Sequence, residues 1–130
     1  MERTNIYYPG IWTKMAGAST LVKIGHRIEM SGMVASDPNG MLVGGSSGYE
    51  QTKYIFKKAQ KLLEDVGSGL QDIIKIKVYT IDMGLVKDIA KAHEEILGEY
   101  KPCSTIIEAT KLILPEYLVC VEVSAYTFKD

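Results

Sequence analysis

The 130-residue sequence has no apolar run approaching the roughly 20 residues that a membrane-spanning helix needs. Its opening residues, Met1-Glu2-Arg3-Thr4-Asn5, lack the apolar core of a secretory signal. The expectation is a cytoplasmic protein with no membrane partner. Cysteine is scarce: Cys103 and Cys120 are the whole complement, with no CxxC spacing. That excludes a disulfide scaffold and a cysteine-based metal or redox motif. His26 and His93 lie far apart in the chain and make no metal-ligand pattern, so no metal is expected. A charge surplus is missing too. Fifteen basic residues stand against sixteen acidic ones, a net charge of −1, whereas a nucleic-acid binder usually carries a basic excess. The charge balance gives a nucleic-acid partner no support. There is no linker, repeat or low-complexity segment, and 46% hydrophobic with 24% charged residues is ordinary for a folded chain. Residues 1–130 read as a single domain.

What the sequence does have is pattern. Tyr7-Tyr8-Pro9-Gly10 reads as an opening turn. Leu21-Val22-Lys23-Ile24 and the alternating Arg27 to Met33 read as a hairpin about the turn Gly25-His26. Asp37-Pro38-Asn39-Gly40 is a strong turn, and Met41-Leu42-Val43 is predicted to be a short strand after it. From Ser47 to Val66, apolar or small residues at Thr52, Ile55, Phe56, Ala59, Leu62, Leu63 and Val66 define one face of a helix. Lys53, Lys57, Lys58 and Lys61 are assigned to its solvated surface, and Gly67 to its stop. Ile73 to Thr80 is strand-like, and Asp82 can cap a second helix over roughly Val86 to Leu97, ended by Gly98. Strands over Ser104 to Thr110 and Tyr117 to Tyr126 complete the order β-β-β-α-β-α-β-β. The predicted class is α+β: one mixed sheet, hairpins at both ends, two helices packed on one face.

Alternation assigns the two faces of that sheet. Val119, Val121, Val123 and Ala125 should pack under the helices, leaving Leu118, Cys120, Glu122 and Ser124 on the other side. Arg27, Glu29 and Ser31, then Lys75, Lys77 and Tyr79, then Ser104, Ile106 and Glu108 are placed with them. A face carrying charges of both signs suits either solvent or a subunit interface whose charges pair.

These residues resemble the reactive intermediate deaminase (RidA/YjgF, L-PSP endoribonuclease-like) family over nearly the whole chain. The resemblance rests on Val22-Lys23-Ile24-Gly25 leading to Met30-Ser31-Gly32-Met33, on Gln51-Thr52, and on Gly69-Leu70-Gln71-Asp72-Ile73-Ile74-Lys75. It continues in Lys101-Pro102-Cys103-Ser104-Thr105 and in Pro115-Glu116-Tyr117-Leu118-Val119-Cys120-Val121-Glu122. It implies a chorismate-mutase-like fold and a homotrimer whose three sheets form a central barrel, with a small-metabolite cleft at each subunit boundary. It also implies hydrolysis of reactive imines or enamines, such as 2-aminoacrylate, to keto compounds and ammonia without metal or cofactor.

The chain departs from that pattern where the chemistry is done. Deaminating members carry an arginine two residues after the proline that opens the fifth strand, where its guanidinium grips the substrate carboxylate. That place is read here as Ser104. The glutamate that positions water in the last strand is replaced by Cys120, with Glu122 two residues on, and a tyrosine near the first strand is replaced by about Ala18. The family's catalytic residues are therefore not carried over. The cleft candidates are Ser104, Thr105, Cys120, Glu122, Ser31, Gly32 and Trp12. Outside them, Cys103 reads as an ordinary strand-start residue, His93 as a hydrogen-bonded core histidine, and Gly44-Gly45-Ser46-Ser47-Gly48 as a connection lacking the ending of a phosphate loop. Three functions follow: an arginine-less imine or enamine hydrolase, a non-enzymatic metabolite-binding or regulatory trimer, and, with no basic surplus or paired histidines behind it, an endoribonuclease or translation inhibitor.

Overall fold

The computed structural model describes residues 1–128. Six strands form one mixed sheet: β1 (Arg3–Ile6), β2 (Leu21–Ile24), β3 (Arg27–Met33), β4 (Ile73–Thr80), β5 (Cys103–Glu108) and β6 (Val119–Tyr126). Their spatial order is β1-β2-β3-β6-β4-β5. The β2–β3 hairpin turns at Gly25, whose φ of 59° lies in the left-handed region that glycine enters without penalty. β4 and β5 are parallel, connected through helix α3 (Val86–Leu97). Helix α2 (Gly48–Glu64) connects β3 to β4.

The class is α+β as the pattern predicted, but several details differ. β1 is not among the predicted strands; its sequence, Arg3-Thr4-Asn5-Ile6, has no apolar alternation to announce it. A third helix, α1 (Ile11–Ala16), precedes Gly17 at φ 66°. The expected strand Met41–Val43 does not form. Asp37 accepts from the backbone N–H of Asn39 and of Met41, both at 2.9 Å, and this turn leaves only an isolated bridge between Ser36 and Leu42. The expected hairpin of the last two strands is also absent: β6 inserts between β3 and β4, antiparallel to both, and β5 stays at the edge. The burial pattern explains the choice. Val119, Val121, Val123 and Ala125 are all buried and need neighbours on both sides, whereas β5 is exposed along most of its length.

Helix α2 starts with a serine N-cap: Ser47 Oγ accepts from Glu50 N–H at 3.0 Å. It stops at Gly67, with φ of 80°. Between these ends Ile55, Phe56, Ala59, Leu62 and Leu63 meet β3, β4 and β6 in the core, and Ile89 and Leu97 of α3 complete it. Each such apolar side chain taken from water contributes about 1.5–3 kcal/mol before chain entropy is counted. Asp82, expected to cap α3, caps the 3-10 turn before it, accepting from Gly84 N–H at 2.8 Å; the N-cap of α3 is Leu85, with no side-chain bond.

One polar side chain joins the layers. Gln51 is fully buried on α2. Its Nε2 donates to Gly45 O at 2.7 Å and Glu116 O at 3.1 Å, and its Oε1 accepts from Leu118 N–H at 2.9 Å. The start of α2 is thereby tied to the segment that aims β6 into the sheet. Gln51→Leu would keep the volume and leave three backbone groups unpaired. The expected loss is about 3 kcal/mol of unfolding free energy, read in urea as a lower midpoint at unchanged slope.

Candidate functional site

The register between β3 and β6 breaks between Met30 and Met33. Met30 faces Val123 and Met33 faces Val121, so Ser31 and Gly32 form a bulge. Ser31 is held there by two bonds: its N–H donates to Thr20 O at 2.8 Å and its Oγ to Ser19 O at 2.8 Å. Gly32 has a steric reason to be glycine, because an added Cβ would lie 2.7 Å from Cys120 Sγ. Around this bulge opens a cavity of about 640 Å³.

The rest of the wall comes from segments outside the regular sheet. Tyr8 donates its hydroxyl to Ser36 O at 3.0 Å, and its N–H to Thr20 Oγ1 at 3.0 Å. α1 follows immediately and brings Trp12, 59% exposed, to the rim. Ile113, from the segment between β5 and β6, is also half-exposed at the cavity, and Tyr117 lies deeper. Polar groups converge on this largely apolar enclosure. Glu122 Oε2 accepts from Tyr79 OH at 2.6 Å, which fixes one carboxylate oxygen and leaves Oε1 for another donor.

Lys58 also lines the cavity, and the sequence reading missed it by assigning it to the solvated face of its helix. It is only 9% exposed. Its Nζ donates to Val34 O at 2.8 Å, Ser36 O at 3.0 Å and Ser36 Oγ at 3.3 Å, and lies 4.1 Å from the centroid of the Tyr8 ring. The signal was present: Gln51, Ile55, Lys58 and Leu62 form one inward row at helical spacing. Burial pulls the Lys58 pKa down to about 8, with partial opposition from Cys120 and Asp37. The same burial, helped by the Glu122 charge, pushes the Cys120 thiol up to about 11.

The cavity thus collects Trp12, Ser31, Gly32, Cys120 and Glu122 of the predicted set. Ser104 and Thr105 lie elsewhere. In the β4–β5 register Ser104 pairs with Ile76 and Ile106 with Val78, both buried under the helices. Ser104 and Ile106 therefore face α3, where with Ile89 and His93 they line a separate cavity of about 400 Å³. Glu108 shares that parity and accepts from Met83 N–H at 2.8 Å. The uncovered side of β5 carries Cys103, Thr105 and Ile107. The placement of Ser104, Ile106 and Glu108 on the uncovered face is corrected by one residue. β5 has polar and aliphatic side chains on both sides, so alternation could not set its phase. On β3, β4 and β6 the assignment holds: Arg27 pairs with Glu29 at 2.9 Å, and Glu29 Oε1 accepts from Ser124 OH at 2.6 Å.

His93 packs edge-on against Phe56, but its buried Nε2 has no hydrogen-bond partner among the described residues. It is a packed histidine with a backbone hydrogen bond but none at Nε2, and burial lowers its pKa. Among the described residues no group of three or more His, Cys, Asp and Glu could hold a metal ion. No helix among them is long and apolar enough to cross a membrane.

A mixed sheet with helices on one face and a cavity at a bulge beside its central strand defines a class of small α+β proteins, and comparison with known proteins makes it specific. The family described as Endoribonuclease L-PSP matches residues 14–127. A RutC family protein of Pyrococcus abyssi is 31% identical over 113 residues, covering 86% of each chain. A solved member of the YjgF/YER057c/UK114 family from Mycobacterium tuberculosis superposes with a TM-score of 0.87 at 25% identity, covering 97% of this chain and 100% of that one. Yeast Mmf1 has the same fold, with a TM-score of 0.84 at 22% identity and coverage of 96% and 98%. The chain belongs to the YjgF/Rid (endoribonuclease L-PSP) family.

The two cysteines test the electrostatics of the cavity. With a pKa of about 11, roughly a thousandth of Cys120 is thiolate at pH 8, and the residue is partly buried. Iodoacetamide at pH 8 should modify exposed Cys103 first and leave Cys120 unmodified, by peptide mass mapping. Equal labelling would show that the thiol is neither buried nor suppressed. Gly32→Ala should cost about 1–3 kcal/mol in urea unfolding, and Cys120→Ala in the same chain should restore most of it.

Proposed function

We propose that the protein binds a small metabolite in the cavity beside the β3 bulge and hydrolyses reactive imines or enamines there, as a cytoplasmic homotrimer. The observation that carries this reading is Glu122. One of its carboxylate oxygens is pinned by Tyr79 and the other is available in a largely apolar cavity that Trp12 partly shields. A carboxylate so placed can orient water toward an imine carbon and take up its proton. Addition of water to the C=N bond gives a carbinolamine, which loses ammonia and leaves the carbonyl compound. This reaction class is the one implied by the resemblance to deaminating members of the family. The uncovered face of the sheet, with Arg27, Glu29, Lys75, Lys77 and Glu122, supports burial against two further copies, since charges of both signs are there to pair.

One observation favours the second reading, binding without turnover. The positions that face the uncovered side on β5 are Cys103, Thr105 and Ile107, and none is a cation that could grip a substrate carboxylate. The basic patch and paired histidines that an endoribonuclease would call for are absent from the residues around the cavity.

Ammonia release from freshly generated 2-aminoacrylate should therefore be about 10–100-fold slower than for an arginine-bearing relative, the equivalent of one lost charge-assisted contact. An equal rate overturns this account of the missing arginine. Trp12 is the only tryptophan, so its fluorescence should change saturably on titration with a ligand found by thermal shift. Turnover assays on each such ligand then separate hydrolase from binder. Sedimentation should give three times the 14.4 kDa chain mass; a lone 14.4 kDa particle defeats the trimer.

A further inference from the structure

Lys58 is a buried amine that the hydrolytic scheme does not use. We propose that Lys58 is a covalent residue of this cavity, whose amine condenses with the carbonyl or imine carbon of a ligand bearing an apolar group, giving a Schiff base on Nζ. The inference rests on the cavity being a metabolite site, and it adds a nucleophile to it.

Three features of the geometry support it. Among the described residues no carboxylate contacts the amine: its partners there are the Val34 and Ser36 carbonyls and the Ser36 hydroxyl. Those partners suit the neutral amine as well as the ammonium. As an ammonium it donates to both carbonyls and to Ser36 Oγ at 3.3 Å; as a neutral amine it keeps two N–H groups for the two carbonyls, and the weakest of the three bonds, to the rotatable Ser36 hydroxyl, is the one given up to free the lone pair. The third feature is the enclosure. Tyr8 covers the nitrogen on one side, and Trp12, Met33, Ile113 and Tyr117 surround the space a ligand would occupy, so apolar substituents are favoured there.

The titratable groups around Nζ and its cavity are Tyr8 from the opening segment, Asp37 from the turn after β3, Tyr117 from the segment before β6, and Cys120 and Glu122 on β6. Asp37 and Cys120 favour the charged amine. Burial outweighs them and brings its pKa to about 8, so about half of the amine is neutral and nucleophilic at pH 8.

The chemistry balances without an oxidant or cofactor. With an imine, the Nζ lone pair adds to the C=N carbon, ammonia leaves from the geminal diamine with the proton Nζ gives up, and a protein-bound imine remains. Water then adds to that imine, the C–Nζ bond breaks, and a carbonyl compound and free Lys58 are regenerated. With a ketone, the same protein-bound imine forms by loss of water.

The test uses the whole purified chain and benzylacetone, a ketone with an aromatic end, with sodium cyanoborohydride to reduce any imine formed. Peptide mapping should find the adduct on Lys58 about tenfold faster than on its solvent-exposed neighbours Lys57 and Lys61, with a rate that saturates in ketone and rises toward pH 8. Lys58→Met should lose that adduct alone. Because this variant could fail to fold, the ratio of Lys58 to Lys57 labelling in the unaltered chain is decisive by itself. Equal labelling of the three lysines, or none on Lys58, overturns the proposal. The outcome is separable from the hydrolase reading. An adduct on Lys58 without ammonia release from any imine defeats only the hydrolase, and ammonia release with Lys58 unlabelled defeats only the covalent lysine.

Discussion

β6 is the constraint on which the rest of the structure depends. Its residues alternate between a fully apolar side and a polar side, and a strand of that kind is stable only when its apolar side meets a continuous core. Val119, Val121 and Val123 meet Ile55, Phe56 and Leu63 of α2. That contact places β6 between β3 and β4 and moves β5 to the edge. It also decides what the opposite side presents. Cys120, Glu122 and Ser124 emerge in the middle of the sheet, where Glu122 meets Tyr79 of β4 and Ser124 meets Glu29 of β3. The packing of the core therefore positions the polar groups of the candidate site.

The cavity lies where this regular arrangement is interrupted. The extra residue in β3 turns Ser31 and Gly32 out of register, and the missing side chain at Gly32 leaves room for the Cys120 thiol. Lys58 approaches from the helix layer and finds carbonyls of Val34 and Ser36, which lie just past the end of β3 where no neighbouring strand uses them. A buried amine costs free energy unless it is bonded, and these bonds offset that cost while leaving the amine without an ionic partner among the described residues. Burial that raises the Cys120 pKa and lowers that of Lys58 acts in one direction: it favours the neutral form of each. Neutral amines are nucleophiles and neutral thiols are poor ones, so this enclosure selects nitrogen over sulfur.

Periodicity made part of this legible and concealed the rest. α2, α3, β2, β3, β4 and β6 carry strong 3.6- or 2-residue patterns, and each was found close to its observed bounds. β1 and α1 carry almost none. β1 is polar because it pairs at an edge, and α1 exposes Ile11, Trp12 and Met15. Trp12, Ser31, Gly32, Cys120 and Glu122 were found through family resemblance together with strand parity, and they share one cavity. Lys58 was passed over because lysine is usually solvated, although its position in the row from Gln51 to Leu62 pointed inward. Ser104 was misplaced because β5 has no apolar side to fix its phase.

That phase bears on how a complete site could be assembled. From β3 to β5 the sheet takes three steps, through β6 and β4, and at about 4.8 Å per step the two strands are roughly 14 Å apart. Thr105 and Cys103 on the uncovered side of β5 are therefore too far from Ser31 and Gly32 to touch the same small ligand within one chain. Either β5 has no part in the chemistry, or it contributes to the cavity of another copy, brought there by the same charged face that carries Lys75 and Lys77. In the first case the charged groups of the cavity are Glu122 and Lys58, and both belong to one chain. In the second, Thr105 and Cys103 would close the open side of a neighbour's cavity with a hydroxyl and a thiol in place of a cation. In neither arrangement does β5 supply a cation to grip a carboxylate, and the enclosure around Lys58 then has more influence than β5 on which ligand is held.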